Sequence, residues 1–488
     1  MTRSPNNFCA PTLTLCHHGG IARTLAMLTY LLAACATGSL APAAADPELY
    51  VFPPESVQNG ERFHEDWSRM AESEAHTRPW HGLKWIELDD EIVLSLGGDL
   101  KWRAEYVDAP YFAVNREEED DYVVQRLMLH ADLRLGQNVR FFGQLGLHDG
   151  IGRQTEFPFD DNGLDLQQAF VDFSSGTQTS HHALRLGRQE IILTPRFTTP
   201  RGAVNIRAAF DGARGWIKRG PLYAEAWATR PVINDKGAFN DERDEDHTFS
   251  GIRAFYAFGR EDAWRLSGMV VSDVREENNL GLLSGRDDRT SWSVRLEGRA
   301  RGFDLDIEHY QQTGDIAGLE IEAFGGGGDV GYTWENVPWQ PRLGARWTYG
   351  SGDDDPADNQ SGTFFGPYPR APCCADPLWI GPSNMVSYAP VLQFRPIEKL
   401  SLELKADFIS RLKATDGIYA VPAIVYPASV GLAGDDFISF APGASLAWAV
   451  TEEVTMRAYY VNQTAEGVLA DIGGQDSSFS VLSLYLRF

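Results

Sequence analysis

Lys101, Arg103, Arg126, Arg134, Arg140, Arg185, Arg253, Arg265, Arg295, Arg346, Lys405 and Arg457 share a setting. Each stands on the polar parity of a stretch in which polar and apolar side chains alternate. Asp99, Glu105, Asp132, Glu225, Asp304, Asp306, Glu308, Glu403 and Asp407 hold the same parity. A guanidinium stays charged at any working pH, and its fork matches a carboxylate. Two kinds of chemistry follow. Arginines ringing a pore attract anions without holding any one too tightly to leave. Arginines beside acids can instead pair with them and stiffen a wall. The sequence supports both readings equally.

Nothing in the chain adds a catalytic signature: H-E-x-x-H, G-x-S-x-G and the P-loop do not occur. Same-face carboxylates such as Asp304 and Asp306 could exchange protons, but a polar wall accounts for them more simply. No cofactor is implied. The acidic runs 117–121, 241–246 and 353–355 read as solvated loops that bind divalent cations diffusely, rather than as a metal site. The five cysteines are Cys9, Cys16, Cys35 and the adjacent Cys373 and Cys374. The last two are either loop thiols or a vicinal disulfide, and no histidine or base lies in sequence reach to make them nucleophiles.

Side chains that alternate this way need strands to position them. Ile92, Leu94, Leu96, Leu100, Trp102 and Tyr106 oppose Asp99, Lys101, Arg103 and Glu105, as period two requires. Leu127, Leu129, Ala131, Leu133 and Leu135 oppose Arg126, His130, Asp132 and Arg134. The same alternation recurs near 139–148, 167–173, 182–192, 210–217, 222–230, 248–258, 263–274, 291–299, 303–312, 321–334, 340–349, 384–394, 400–411, 437–450, 454–462 and 478–488. This gives roughly 18 strands, each near the about 9–11 residues of a tilted membrane strand. Short connectors (136–138, 218–221, 259–262, 301–302, 336–339, 395–399, 451–453) interleave with long ones (107–121, 149–164, 231–247, 275–290, 350–383, 412–436, 463–477). That asymmetry belongs to a barrel with tight periplasmic turns and large external loops. An open sheet edge in hydrocarbon leaves backbone groups unpaired, so the sheet must close, and a barrel of this size encloses water. Trp85, Trp102, Tyr106, Trp264, Trp292, Trp347, Tyr349, Trp448 and Tyr460 suit the two aromatic girdles. The chain ends Leu482, Leu484, Leu486, Phe488 on one parity, as outer-membrane barrels commonly do.

Residues 25–34 are apolar and follow Arg23, and Ala43-Ala44-Ala45 precede Asp46. This reads as a signal peptide cleaved near Ala45, with Cys35 in a competing lipobox. The expected division is 1–45 signal peptide, 46–90 N-terminal periplasmic segment and 91–488 barrel. The 488 residues carry a net charge of −25, which repels nucleic acid. The mean hydropathy of −0.29 excludes a bundle of membrane helices but not a barrel.

Several stretches, taken in order, resemble the alginate export family of outer-membrane proteins. They are Glu65-Asp66-Trp67-Ser68; Leu94-Ser95-Leu96-Gly97-Gly98-Asp99-Leu100 with Arg103 and Glu105; and Gln125-Arg126 with His130-Ala131-Asp132. Then come Leu164-Asp165-Leu166-Gln167-Gln168-Ala169-Phe170-Val171-Asp172, Leu186-Gly187-Arg188-Gln189-Glu190, Asn205-Ile206-Arg207 and Phe210-Asp211-Gly212-Ala213-Arg214. Ser351-Gly352-Asp353-Asp354-Asp355-Pro356 and Gly362-Thr363-Phe364 resemble a recurring external loop. The resemblance runs from about residue 62 to the C-terminus and is densest over 90–215.

The resemblance implies an antiparallel barrel of about 18 strands whose basic lumen lets a polyuronate out passively across the Gram-negative outer membrane. It places Arg126, Arg188, Arg207 and Arg214 on motif positions. The expected pathway is therefore Arg103, Arg126, Arg188, Arg207, Arg214, Arg253, Arg295, Arg346, Lys405 and Arg457. Asp99, His130, Asp132, Asp172, Glu190 and Asp211 form the structural motif, and the alternative is that the arginines brace the wall through Asp172, Glu190 and Asp211. Arg188 shares the parity of Leu184 and Leu186, so only a bulge near Gly187 or a position above the membrane would bring it inside. Expected partners are lipid, lipopolysaccharide and an anionic polysaccharide, with a periplasmic export-complex scaffold left open, and a monomer is expected. A general or small-anion porin is the alternative function, and a barrel enzyme is a more distant one. The external loops and the segment 46–90 are placed to gate the two mouths.

Overall fold

The computed structural model describes residues 62–65, 67–71, 78–114, 119–153, 159–177, 179–198, 205–260, 263–368, 377–421 and 423–488. The leader with its Ala45 site and Cys35, the Cys373–Cys374 pair, Asp66 and the start of the 117–121 acidic run lie outside them.

The barrel strands are β1 (Ile92–Asp108), β2 (Glu119–Leu135), β3 (Val139–Ile151), β4 (Asn162–Gly176), β5 (Ser180–Gln189) and β6 (Phe210–Arg219). There follow β7 (Leu222–Ile233), β8 (His247–Phe258), β9 (Trp264–Leu280), β10 (Leu283–Ala300), β11 (Phe303–Ile316) and β12 (Leu319–Thr333). The last are β13 (Arg342–Gly350), β14 (Met385–Ile397), β15 (Leu400–Arg411), β16 (Phe437–Ala449), β17 (Val454–Gln463) and β18 (Ser477–Arg487). Each pairs antiparallel with the next, and β18 returns to β1 through Asp99↔Arg487 to Asp108↔Ser478. The sheet therefore closes with no free edge.

Both ends of this strand set lie at the end with the tight turns, and the longer loops crowd the other. The outward parity is apolar. Leu100, Leu129, Phe141, Leu147, Leu184, Ile252, Val270, Trp292 and Val294 are all exposed large hydrophobics. Only a lipid surround makes such a belt stable.

Two expectations change. Residues 275–290 are not a loop: β9 and β10 continue as a hairpin, with Arg275↔Asp287 and Leu280↔Leu283 paired around Gly281 (φ 62). β11 and β12 likewise meet at Ala317-Gly318. The strands outrun the membrane there. Both faces become polar, so alternation stops while backbone pairing continues.

The lumen is also not polar throughout. Toward the loop end the inward residues Val107, Tyr122, Val124, Phe210, Trp227, Phe249 and Val271 are apolar. They pack on Ile191, Leu193 and Phe197 from the β5–β6 loop, Phe364, Phe365 and Trp379 from the β13–β14 loop, and Tyr419 and Tyr426 from the β15–β16 loop. The external loops fold inward and build one hydrophobic core inside the barrel mouth.

At the turn end, short 3₁₀ turns Arg62–His64, Ser68–Ala71 and Pro79–Leu83 precede a strand Ile86–Asp89 that pairs with the start of β1. Phe63 forms a small separate core with the inward Phe142 and Phe170.

Candidate functional site in the lumen

Strand register decides which inward side chains meet. Over β2–β5, Arg140 reaches Asp132 (2.7 Å) and Asp172 (3.8 Å), and Arg185 forks onto both Asp172 oxygens at 2.8 Å. Over β6–β8, Arg214 (2.6 Å) and Arg253 (2.7 Å) share Glu225, whose side chain is fully buried. Arg253 also donates to the carbonyl of Leu193 in the β5–β6 loop. Over β10–β15, Arg295 meets Asp306 (2.7 Å) and Glu297 (2.6 Å). Arg342 joins Asp304 to Asp329, and Arg346 joins Asp329 (2.9 Å) to Glu403 (3.2 Å). Lys405 meets Asp407 at 3.0 Å. These charges are paired because an unpaired one in a low-dielectric wall is expensive. Arg140, Arg185, Arg214, Arg253, Arg295, Arg342, Arg346 and Lys405 stand in the wall as braces. Arg103 pairs with Glu105 on its own strand.

The exception lies over β18, β1, β2 and β3. The register sets Tyr485, Lys101, Arg126 and His148 in one row. Two cations directly opposite on adjacent strands repel. Arg126 and Arg207 each lie 3.9 Å from one Asp99 oxygen, and Arg207 lies 3.6 Å from Glu190. Arg126 donates to the Asn205 carbonyl (3.1 Å), and the Asn205 amide donates to the Gln125 carbonyl (2.7 Å), which pins the β5–β6 loop over the row. Lys101 is 4% exposed and makes no ion pair among the described residues. Among the described residues neither ring nitrogen of the buried His148 has a hydrogen-bond partner. Nearby, Arg457 is exposed on the inward face, its guanidinium 5.4 Å from the Tyr485 ring centre.

The remaining motif residues fall around this row. His130 stacks on Phe142 at 5.6 Å. Arg188 is not brought into the lumen. Its pairing passes Gly187 without a register break, so it keeps the parity of Leu184 and Leu186. It clamps Asp211 (2.9 and 3.1 Å) and donates to the carbonyls of Leu166 and Asp241 at 3.3 Å, closing the seam where β5 ends. At 353–355 the acids serve the loop itself: the Asp355 N–H donates to the Asp353 carboxylate (3.1 Å), and Lys413 meets Asp354 (3.0 Å).

Sequence reasoning listed Lys101 among many lumen cations and did not single it out. Its distinction is to be buried without an ion pair among the described residues, which register and packing reveal. Phe63 and Arg62 were missed, since nothing local to an irregular segment shows what it docks on.

The fold is similar to that of solved outer-membrane proteins. OpdK from Pseudomonas aeruginosa aligns with a TM-score of 0.54 at 11% identity, over 81% of this chain and 98% of that one. A BenF-like porin from Pseudomonas fluorescens Pf-5 gives the same TM-score, identity and coverage. OccK2 (OpdF) from P. aeruginosa gives 0.51 at 11% identity, over 80% and 97%. At such identities the likeness speaks for the architecture alone. No curated protein sequence matches the chain. The family model described as alginate export matches residues 92–461, which is every barrel strand from β1 to nearly the end of β17. With a closed 18-strand wall, an apolar outer belt and a charged inner face beneath it, the chain belongs to the alginate export family and is an outer-membrane β-barrel channel.

Proposed function

We propose that this channel passes an anionic polysaccharide, an alginate-like polyuronate, passively out of the cell. The observation that carries the reading is the Lys101–Arg126 cross-strand pair. With Arg207 and His148 it gathers basic groups at one level, and Asp99 is the acid that Arg126 and Arg207 share there. Facing cations occur elsewhere in the barrel, at Arg134↔Arg140 and Arg185↔Arg214, but there each guanidinium has a carboxylate, whereas Lys101 makes no ion pair among the described residues. Like charges held together inside a fold are a feature retained for a ligand. A carboxylate passing the row would relieve the repulsion, and Arg457 offers the next cationic contact. No energy source is needed within the chain, since the gradient of polymer drives movement.

The small-anion porin is kept as a second reading because the inward-folded loop core leaves less room for a polymer than for a small solute. Planar bilayers separate the two. An exporter is expected to pass potassium chloride with anion preference and to be blocked by polyuronate added on the turn side, far more strongly than by monomeric uronate. Lys101→Glu is the cleaner variant, because Arg126 also holds the Asn205 loop. A reversal potential unchanged by Lys101→Glu, with no polyuronate block, would overturn the reading.

A further inference from the structure

We propose that the lipid-facing wall over β6–β10 holds one specific lipid: the multiply acylated, phosphorylated glucosamine disaccharide (lipid A) that anchors lipopolysaccharide in the outer leaflet. Elsewhere the outer belt is bulky, as at Leu129, Phe141 and Leu147 on β2 and β3. Over β6–β9 the outward positions shrink to Gly215, Ala224, Ala226, Ala254 and Gly268, which register sets side by side. They floor a groove of about 810 Å³. Its walls are Ile217, Ile252, Val270 and Trp292, each between 41% and 59% exposed. The inward side chains behind it, Trp216, Glu225, Arg253 and Met269, are buried, so the groove opens to hydrocarbon and not to the lumen. Its volume falls within the roughly 300–1,000 Å³ of sites that take discrete ligands.

The wall itself does not require this hollow. A Cβ at Gly268 would come no closer than 4.0 Å to a neighbouring strand, and one at Gly215 no closer than 3.6 Å. Neither glycine has a positive φ. Glycine inside a strand weakens it, and where the backbone has no use for it, it marks a close approach by something else.

One pairing step toward the loops, the outward row changes character. Ser250, Ser272 and Thr290 stand opposite one another on β8, β9 and β10. Among the described residues none of these three hydroxyls has a hydrogen-bond partner. Hydroxyls at the head of an apolar groove suit the ester and amide carbonyls that join acyl chains to a sugar. The next row, on β5–β7, is Arg188, Asp211 and Arg230. Arg188 is committed to Asp211. Arg230 is 34% exposed and meets Glu245, itself 62% exposed, at 3.1 Å. So exposed a pair contributes little, and Glu245 also has Arg243, so the Arg230 guanidinium can turn to a phosphate. Groove, hydroxyls and guanidinium follow one another along the strands as acyl chains, linkages and phosphate do along a phosphoglycolipid. The apolar flank of a second barrel would fill the groove but leave the hydroxyls without partners. The site requires the outer-membrane barrel and is independent of what the channel passes.

The test is native mass spectrometry of the full barrel, folded in detergent and mixed with equal amounts of lipid A and phosphatidylglycerol. The parent is expected to retain lipid A in preference. Ala226→Leu with Gly268→Leu fills the groove and is expected to lower the lipid A-bound fraction at least about tenfold. Arg230→Gln is expected to lower it about threefold and to leave the binding of dephosphorylated lipid A unchanged. The phosphorylated disaccharide without acyl chains is expected not to compete, which separates the lipid from a free phosphate. Heat-modifiable gel mobility reports folding of each variant. If the leucine pair fails to fold, Arg230→Gln decides, because that side chain reaches solvent and leaves the wall intact. Three results would each overturn the site: equal retention of the two lipids by the parent, undiminished lipid A binding in the folded leucine pair, or a lipid-free parent dimer that the leucine pair turns into a monomer.

Discussion

The two halves of the lumen use the same strands and the same inward parity, yet they are built from opposite chemistry. Near the turns, inward positions are charged and satisfy one another through Arg185–Asp172, Glu225 with Arg214 and Arg253, and Arg346 between Asp329 and Glu403. Near the loops, inward positions such as Val124, Trp227, Phe249 and Val271 are apolar and packed against returning loops. The difference is one of what faces them. Where the opposite side of the lumen is polar or wet, a side chain must be charged and paired. Where the loops 190–209, 351–384 and 412–436 fold back, burial of apolar surface organises them, at about 1.5–3 kcal/mol per large side chain.

The comparison can be broken most severely at Glu225. Glu225→Leu leaves Arg214 and Arg253 buried without their carboxylate and is expected to destabilise the barrel by about 3–5 kcal/mol. The measurement is the unfolding midpoint on heat-modifiable gels in urea. In the loop-side half, Leu193→Ala removes a fully buried side chain from the core and is expected to cost about 2–4 kcal/mol in the same assay. An equal loss of ion selectivity in both variants would mean the halves are not separate.

Lys101→Met should leave stability nearly unchanged, since no ion pair is broken, and shift the anion-to-cation permeability ratio about threefold by removing roughly one kT of pathway potential. Reversal potential under a salt gradient measures it.

The smallest effect is a pH dependence of stability through Lys84. Burial pushes the Lys84 ammonium down to about 8, with Glu65 pulling it up and Arg62 pushing it down; the His130 ring on β2 and the Trp67 ring also face it. On unfolding, the amine returns toward its ordinary 10.5. Between these values the unfolded chain binds the extra proton, so the folded state gains stability as pH rises from about 8 to 10.5. The difference in urea midpoint between the parent and Lys84→Met, read on heat-modifiable gels, is expected to change over that window in this direction.

The alternation of Leu94, Leu96 and Leu100 against Asp99 and Lys101 was enough to place β1, and the same pattern placed the other barrel strands, short by up to eight residues at the loop end (β2 begins at Glu119 and β10 at Leu283). Membrane strands write both faces into sequence, so the wall was legible. The β9–β10 hairpin above the membrane was not, because Glu276, Glu277, Asn278 and Asn279, and then Arg286, Asp287 and Asp288, put polar side chains on both parities. Trp216 and Trp227 are inward aromatics that no parity rule based on a wet lumen would have placed there.

The sequence by itself determined the closed wall, its lipid face and the presence of many inward arginines, because period two is a local property. Which arginines pair with wall carboxylates, why Lys101 makes no ion pair among the described residues, that Arg188 closes a seam and that Phe63 packs on Phe142 and Phe170 were decided by tertiary structure. Each depends on side chains brought together from strands and segments far apart in the chain, and a chain can only record such meetings once register and loop packing have made them.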